Sequence, residues 1–484
     1  MEIATETERK YDVPETFRLP DLAGVAGIAR AGGAETHDLD ATYFDTDDLR
    51  LMKSRRTLRR RSGGNDAGWH LKTPDEGSGR TEHRIPDPGG QPDQGGQPGQ
   101  HDREVPDELV RLVRPIVRRH PLGPVARLVT HRVETPLLDV EGRTLALVAQ
   151  DRVRAEAGDD ESAWQEIEVE LVDGGEEVLD GVEGLLLTAG ASHAAGPSKV
   201  ARALARRLDS LRGPKGRVNP VFAYAREQRD AIVGYDPAAR AGEADAVHRM
   251  RVAVRRLRST LKTYRRWFPE TARTEVDPEL RWLARMLGGV RDPQVLTGKL
   301  LAGVEFPEVA ERIRAALEQR VHEGREQLGA ALDADRYLDL LDRIDELVDD
   351  PGDAPSDPAR RTRKILKKAD ARLDAAVASG VDERLHEARK TYKQARYAVE
   401  VIAPAHGKPA KRLVKALTAL QDGLGAHQDS AIARETLREI GSDSFDFGVL
   451  YGRQEQVGKE TLLEVPALVR ASRRKKVRRW LVRA

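Results

Sequence analysis

The residues with the most chemical potential are charges set at intervals of two. Glu6, Glu8 and Lys10 are spaced E-x-E-x-K, and Glu166, Glu168 and Glu170 repeat the interval much later. Between them come Arg59 and Arg61, then His70 and Lys72, with Arg80, Glu82, Arg132, Asp151 and Lys199 adding further charge. Alternate side chains of a strand share one face, so each group projects its charges in one direction. Unpaired charge is too costly to bury in an apolar core. These groups therefore either decorate a solvated sheet with cross-strand ion pairs, each worth little, or line a polar cavity that serves a ligand. Acids recurring on two strands and bases on several favour the cavity. A cavity with both signs suits a phosphate chain with a divalent cation: carboxylates hold Mg²⁺ or Mn²⁺ through oxygen, while Arg and Lys take the phosphate oxygens.

A second constellation lies further along the chain. His248, Arg251, Arg255 and Arg258 have the spacing H-x2-R-x3-R-x2-R, and His386, Arg389, Lys393 and Arg396 reproduce it with one lysine. On a helix these offsets fall within about 80° of arc, so each set makes one basic stripe. LGGVRD (287–292) follows the first set and LGAHQD (424–429) the second at nearly the same distance, which argues for an internal duplication. A lone stripe reads as a solvated helix face. Two of them, the first in a stretch (246–269) without Asp or Glu, repel themselves unless a polyanion neutralises them. Arg forks chelate phosphate oxygens, and histidine adds a donor that strengthens as pH falls.

The elements that must position these groups differ between the two halves. Up to about residue 200 the apolar residues alternate, as in WHLK, TLALVAQDRV and WQEIEVELVDG, which predicts a mainly antiparallel α+β unit over 1–210. A low-complexity stretch (86–104) reads as a surface insertion and 211–219 as a linker. From 220 to 484 the periodicity becomes helical, predicting an all-α amphipathic bundle. The 484 residues exceed one ordinary core. Charged residues reach 33% and aromatics only 4%, which favours solvated helices. Cysteine is absent, which excludes disulfides, thiolate zinc sites and cysteine nucleophiles and fits a reducing cytoplasm. The start, MEIATETERK, does not read as a signal peptide, and no apolar run predicts a membrane span. Net charge is +1, so any anion affinity resides in local fields such as the acid-free tail RRKKVRRWLVR.

At Glu6, Glu8 and Lys10 the first half resembles the CYTH family, or triphosphate tunnel metalloenzymes, over about residues 2–205. The resemblance implies an eight-stranded antiparallel barrel, open at both ends, that hydrolyses or cyclises a triphosphate-bearing substrate with a divalent metal. It implies catalytic roles for Glu6, Glu8, Lys10 and Asp151, and metal ligation by Glu6, Glu8, Glu166, Glu168 and Glu170. Lys10, Arg59, Arg61, Lys72, Arg80, Arg132 and Lys199 would bind the triphosphate. One departure is visible: the family's R-x-E-x-E strand reads Arg80, Glu82, Arg84 here. The second half resembles the CHAD family over about 218–484, a duplicated helical domain that binds inorganic polyphosphate, sometimes with targeting to polyphosphate granules. His248, Arg251, Arg255, Arg258, His386, Arg389, Lys393 and Arg396 match its basic positions, and His427 is a further candidate beside a displaced Arg291.

Two functions of different class follow as expectations. One is a metal-dependent inorganic triphosphatase whose helical module captures polyphosphate. The other is a non-catalytic polyphosphate-binding protein, which the altered Arg80/Glu82/Arg84 strand would suit. Thiamine triphosphate hydrolysis and adenylate cyclisation share the same triphosphate grip. Nucleic acid competes for any basic helix, but few aromatics interleave with these charges to stack on bases. No P-loop or G-x-S-x-G sequence occurs.

Overall fold

A computed structural model describes residues 1–74, 80–87, 104–211, 219–302, 304–349, 357–441 and 444–483. Most of the expected insertion (86–104) and linker (211–219) lies outside them. The chain separates into two compact units, Met1–Lys215 and Gly216–Ala484.

The first unit is built on one antiparallel sheet, with helices α1 (Arg50–Lys53), α2 (Asp107–Val117), α3 (Glu176–Thr188), α4 (Lys199–Ala203) and α5 (Ala205–Ser210) against it or in its connections. Its strands are β1 (Glu2–Glu6), β2 (Glu8–Val13), β3 (Arg30–Ala31), β4 (Glu35–Asp45), β5 (Thr57–Ser62), β6 (Gly68–Pro74), β7 (Arg80–Pro86), β8 (Gly123–Leu138), β9 (Thr144–Ala157), β10 (Asp160–Leu171) and β11 (Ser192–His193). They pair in the order β1-β7-β6-β5-β4-β8-β9-β10-β2-β11, with β3 on β8. Among the described residues the sheet has eleven strands and is open, which corrects the expected closed barrel. The reason lies at Thr7: the first extended stretch divides there, and β1 pairs with β7 while β2 pairs with β10 at the other end of the path.

Strand alternation sorts the sheet's two faces. On β10, Ile167 and Val169 point into an apolar cluster with Tyr11 of β2 and with Val178, Leu179, Val182 and Leu186 of α3 (Glu176–Thr188). Glu166 and Glu168 alternate with them and so point the other way. On β9, Asp151 leads on the same face to Val153 and Ala155. These two join Trp164, Leu128, Ala41 and Tyr43 around Val200 and Leu204, at the short helix α4 (Lys199–Ala203). Packing of that apolar patch brings the N-terminus of α4, and with it Lys199, up to the charged stretch of the face.

The second unit is helical. It comprises α6 (Pro220–Arg240), α7 (Ala244–Thr263), a π-helical turn (Ala272–Val276), α8 (Asp277–Leu301), α9 (Pro307–Asp333) and α10 (Asp335–Asp349). After these come α11 (Pro358–Ser379), α12 (Asp382–Gly441), α13 (Phe445–Arg473) and α14 (Lys475–Arg483). Asn219 and Asp357 cap α6 and α11 by accepting backbone N–H groups. Gly380 ends α11 in the left-handed region that glycine tolerates best, and Gly407 bends α12. On α7 the buried positions run Val247, Met250, Val254, Leu257, Leu261. On α12 they run Leu385, Ala388, Tyr392, Ala395, Val399, Ile402. Both series alternate steps of three and four, as a core-facing helix requires. No described helix is long and apolar enough to cross a membrane.

Candidate functional site

In the first unit the charged faces of seven strands and the tip of α4 enclose one cavity. Its lining includes Glu6, Glu8, Lys10, Arg59, Arg61, Lys72, Arg80, Glu82, Arg132, Glu168, Glu170 and Lys199. Apart from these and Asp66 it is lined by Tyr43, Thr57, Ser198 and Val200. All seven cations expected to hold triphosphate thus come together. Arg84, where the family's acid is missing, is not in the lining: it faces Glu2 at 3.8 Å and donates to the Asn65 carbonyl.

Acids and bases divide the cavity into regions. Asp151, Glu166 and Glu168 place carboxylate oxygens within 4.8 Å of one another. The Lys199 ammonium sits among them at 2.8, 2.8 and 2.7 Å. Arg132 grips Asp151 with two hydrogen bonds of 2.8 and 2.7 Å and reaches Glu168 at 2.5 Å, and Lys10 also pairs with Glu168. Burial works to raise the Asp151 and Glu168 carboxyls, but the surrounding Lys and Arg charges hold both below the usual carboxylate range. Although these three oxygen donors resemble a metal site, their positive charge is already supplied. Trp164 additionally donates to Glu166 at 2.6 Å.

Glu6, Glu8 and Glu170 are balanced differently. Lys72 pairs with Glu6, and Lys10 donates to Glu8 at 2.9 Å. Glu170 stands opposite Glu8 in the β2–β10 register. Burial, then the charge of Glu6, pushes the Glu170 carboxyl up to about 7, and burial also raises Glu6. Here acid is in excess. Hard oxygen donors of this kind suit a divalent cation of the Mg²⁺ or Mn²⁺ type, although among the described residues only Asp151, Glu166 and Glu168 bring three carboxylate oxygens within 4.8 Å of one another.

The other wall is cationic. Arg59 donates to the Tyr43 hydroxyl at 3.4 Å and lies 3.9 Å from Glu82, which is 3.8 Å from Lys72. Arg61 pairs with Asp66, and burial followed by the charges of Arg59 and Arg132 disfavours its proton. Arg80 donates to the Pro197 carbonyl at 2.8 Å. The buried His70 ring contacts Glu82. Tyr43, Asp66 and Ser198 were not legible as lining: the tyrosine reads as core, and the other two lie in turns.

In the second unit the basic stripes occupy the positions that directly follow the buried series of α7 and α12. Lys393 brings the stripes together. Burial, then Arg255, Arg389, Arg396 and Arg251, pulls its ammonium down to about 7. The two halves also repeat a contact. A Cβ added to Gly288 would lie 3.4 Å from an Arg251 guanidinium nitrogen, and one added to Gly425 3.0 Å from the matching nitrogen of Arg389. Burial followed by the charge of Arg291 lowers His248, and burial followed by Lys390 and Arg389 lowers His386, which also hydrogen-bonds Gln428.

Four expected members have partners of their own. Arg251 is engaged by Asp292 at 2.5 and 2.9 Å, although it stays within the cluster. Arg258 turns to Asp277 at 2.9 and 3.4 Å, and so leaves the stripe. His427 is buried, with Nδ1 3.2 Å from the Gly458 carbonyl and Nε2 3.1 Å from Asp382. Counted from the L-G pair, His427 falls on the position of the fully buried Val290, and Gln428 falls on that of Arg291. Arg396 lies over the Tyr397 ring at 4.6 Å and reaches Glu400 at 3.4 Å. Glu400 also accepts from Tyr224 at 2.7 Å and faces Arg256 at 3.2 Å.

Each unit matches a known domain family. Residues 4–204 match the model of the CYTH domain and residues 223–438 that of the CHAD domain. Two proteins of Mycobacterium tuberculosis, from strains CDC 1551 / Oshkosh and H37Rv and both described as uncharacterized, are 36% identical over 96% of each chain. Among solved structures, PptA from Streptomyces chartreusis superimposes with a TM-score of 0.45 at 17% identity, over 51% of this chain and 97% of its own. The CHAD domain from the plant Ricinus communis gives 0.36 at 24% identity, over 55% and 88%.

Proposed function

The chain belongs to the CYTH family over residues 4–204 and to the CHAD family over residues 223–438, and on that footing we propose that it hydrolyses inorganic triphosphate or short polyphosphate and binds longer polyphosphate through its helical unit. The observation that carries the first part is the convergence of seven Lys and Arg side chains with an acid-rich corner in one cavity. The two parts of the lining suggest a division of labour.

Arg59, Arg61, Lys72, Arg80 and Arg132 would take phosphate oxygens and spread the charge that develops as a phosphoryl group leaves. Such preorganised cations are most of what phosphoryl transfer asks of a protein. Glu6, Glu8 and Glu170 would hold Mg²⁺ or Mn²⁺, which when bound supplies charge neutralisation and lowers the proton affinity of water. Lys10 and Lys199 would keep Glu8, Asp151, Glu166 and Glu168 in place, so that the acids do not repel the incoming anion. Asp151 acts through Arg132, which it orients from a fully buried position. Among the described residues, Tyr43 and Val200 are the lining's only aromatic and aliphatic side chains. They offer little surface to a purine or thiazolium ring, which favours an inorganic substrate over thiamine triphosphate or an adenine nucleotide. Because Arg84 stands outside the lining, the departure from the family pattern gives no support to a non-catalytic tunnel.

In the helical unit the equivalent contacts at Gly288 and Gly425, and the equal phase of the two stripes on their helices, support a duplicated bundle. Arg251, Arg255, Arg389, Lys393 and Arg396 would form its polyphosphate site, flanked by His248 and His386. Phosphate release from tripolyphosphate with Mg²⁺ or Mn²⁺ tests the enzyme reading. Glu6→Ala and Glu8→Ala should abolish turnover and leave long-chain polyphosphate binding intact, while Arg255→Ala with Lys393→Ala should do the reverse. Turnover that survives both glutamate changes contradicts the assignment.

A further inference from the structure

His70 has no part in the reading above, yet its side chain is fully enclosed in the cavity wall. It stands on β6 two residues before Lys72 and on the same face. Its Nδ1 lies 3.0 Å from a Glu82 carboxylate oxygen and its Nε2 2.8 Å from the Asp66 backbone carbonyl. Both neighbours only accept hydrogen bonds. A neutral imidazole has a single N–H, so it satisfies one of them and turns a lone pair toward the other. Satisfying both takes one more proton.

Burial and local charge together keep that proton away. Burial comes first and works with Arg59 and Arg61 to pull the ring down to about 4, against the hydrogen bond with Glu82. Burial works to raise Glu82, but His70, Lys72 and Arg59 hold its carboxyl well below the usual range. The other charged neighbours are Asp66, paired with Arg61, and Arg84, opposite His70 in the β6–β7 register. The geometry therefore calls for a proton that the free cavity resists, and the resisting charges are those expected to receive phosphate.

We propose that His70 is a proton-linked positioning residue: when a phosphate chain neutralises Arg59, Arg61 and Lys72, the ring takes one proton from solvent and donates to Glu82 and to the Asp66 carbonyl together. Lys72 and Arg59 then turn from Glu82 to the anion, and the imidazolium replaces them as the counter-charge of that carboxylate. Glu82 stays in the wall instead of repelling the ligand. The balance is one proton taken up per anion bound. Since the bound state holds the ring's proton more tightly, affinity rises as pH falls through the ring's bound-state value. This inference rests on the triphosphate reading of the cavity.

The test uses the full chain with ¹⁵N-labelled histidine, titrated with tripolyphosphate in EDTA so that turnover does not intervene. His70→Gln, or His70→Asn should the first not fold, identifies the ring's signals by their loss. At pH 7 the free protein should show one protonated and one bare ring nitrogen, and the saturated protein two protonated nitrogens. Calorimetry in two buffers of different ionisation enthalpy should find wild type taking up about one proton more than the variant. A ring that keeps its bare nitrogen at saturation, with equal proton uptake in both proteins, overturns the inference and leaves the triphosphate reading standing. Failure of tripolyphosphate to bind either protein defeats that reading, and this inference with it.

Discussion

Replacing Glu170 by Gln should change how metal binding depends on pH, because Glu170 is the least neutralised carboxyl of the cavity. Burial and the charge of Glu6 raise it from an ordinary 4.5 to about 7. At about 1.4 kcal/mol per pH unit, that displacement corresponds to roughly 3.5 kcal/mol or less of unfavourable interaction when the group is ionised. The sign follows directly. Stability contributed by this group is fully present below its unfolded value near 4.5 and is lost as pH rises through about 7, so without metal the Gln variant should be the more stable protein at pH 8. A divalent cation reverses the preference, since it favours the ionised form and must displace the proton below pH 7. Apparent Mn²⁺ affinity of the wild type should therefore fall about tenfold per unit between pH 7 and 5, from this group alone. Glu6, also raised, adds to the slope. Free Mn²⁺ is quantified by its paramagnetic resonance signal across this range. Glu170→Gln should bind more weakly at pH 8 and, below pH 7, release about one proton fewer per metal. A Gln variant with the wild-type slope would refute the placement of the metal at this corner.

Other perturbations separate the remaining groups. Lys199→Met should strand Asp151, Glu166 and Glu168, costing about 3–5 kcal/mol in urea unfolding of the first unit. Part of that loss should return in millimolar Mg²⁺, because the three carboxylates then lack their ammonium. Long-chain polyphosphate affinity should fall up to about tenfold per unit above pH 7 as Lys393 loses its proton, and Lys393→Met should flatten the profile while weakening binding at pH 6. His427→Ala should cost about 1–3 kcal/mol of stability through one buried and one part-buried hydrogen bond lost, with polyphosphate affinity unchanged within about twofold, as a titration of each variant would show.

Much of this arrangement could be read from residue spacing, for an identifiable reason. Strand alternation carries a period of two that survives any tertiary detail, so Glu6 with Glu8, Arg59 with Arg61, and Glu166 with Glu168 were visible as shared faces. The division of the first extended stretch at Thr7 was not, since its two halves pair with opposite ends of the sheet. Nor was the position of Lys199. It follows from Val200 and Leu204 packing into the apolar patch, a contact between segments far apart in the chain. In the helical unit the stripes were legible through their 3–4 spacing. Whether each member meets an acid from another helix was not: Asp277 removes Arg258, while Arg255 remains in the cluster around Lys393. His427 misled because histidine beside a repeated motif resembles a ligand. Only alignment with Val290 reveals it as a core position.

The most direct measurement is diffraction from crystals grown with Mn²⁺ and a non-hydrolysable triphosphate analogue. The account predicts an anomalous manganese peak among Glu6, Glu8 and Glu170, with phosphate density reaching Arg59, Lys72 and Arg132. A peak among Asp151, Glu166 and Glu168 with Lys199 displaced, or an analogue bound away from these cations, would contradict it.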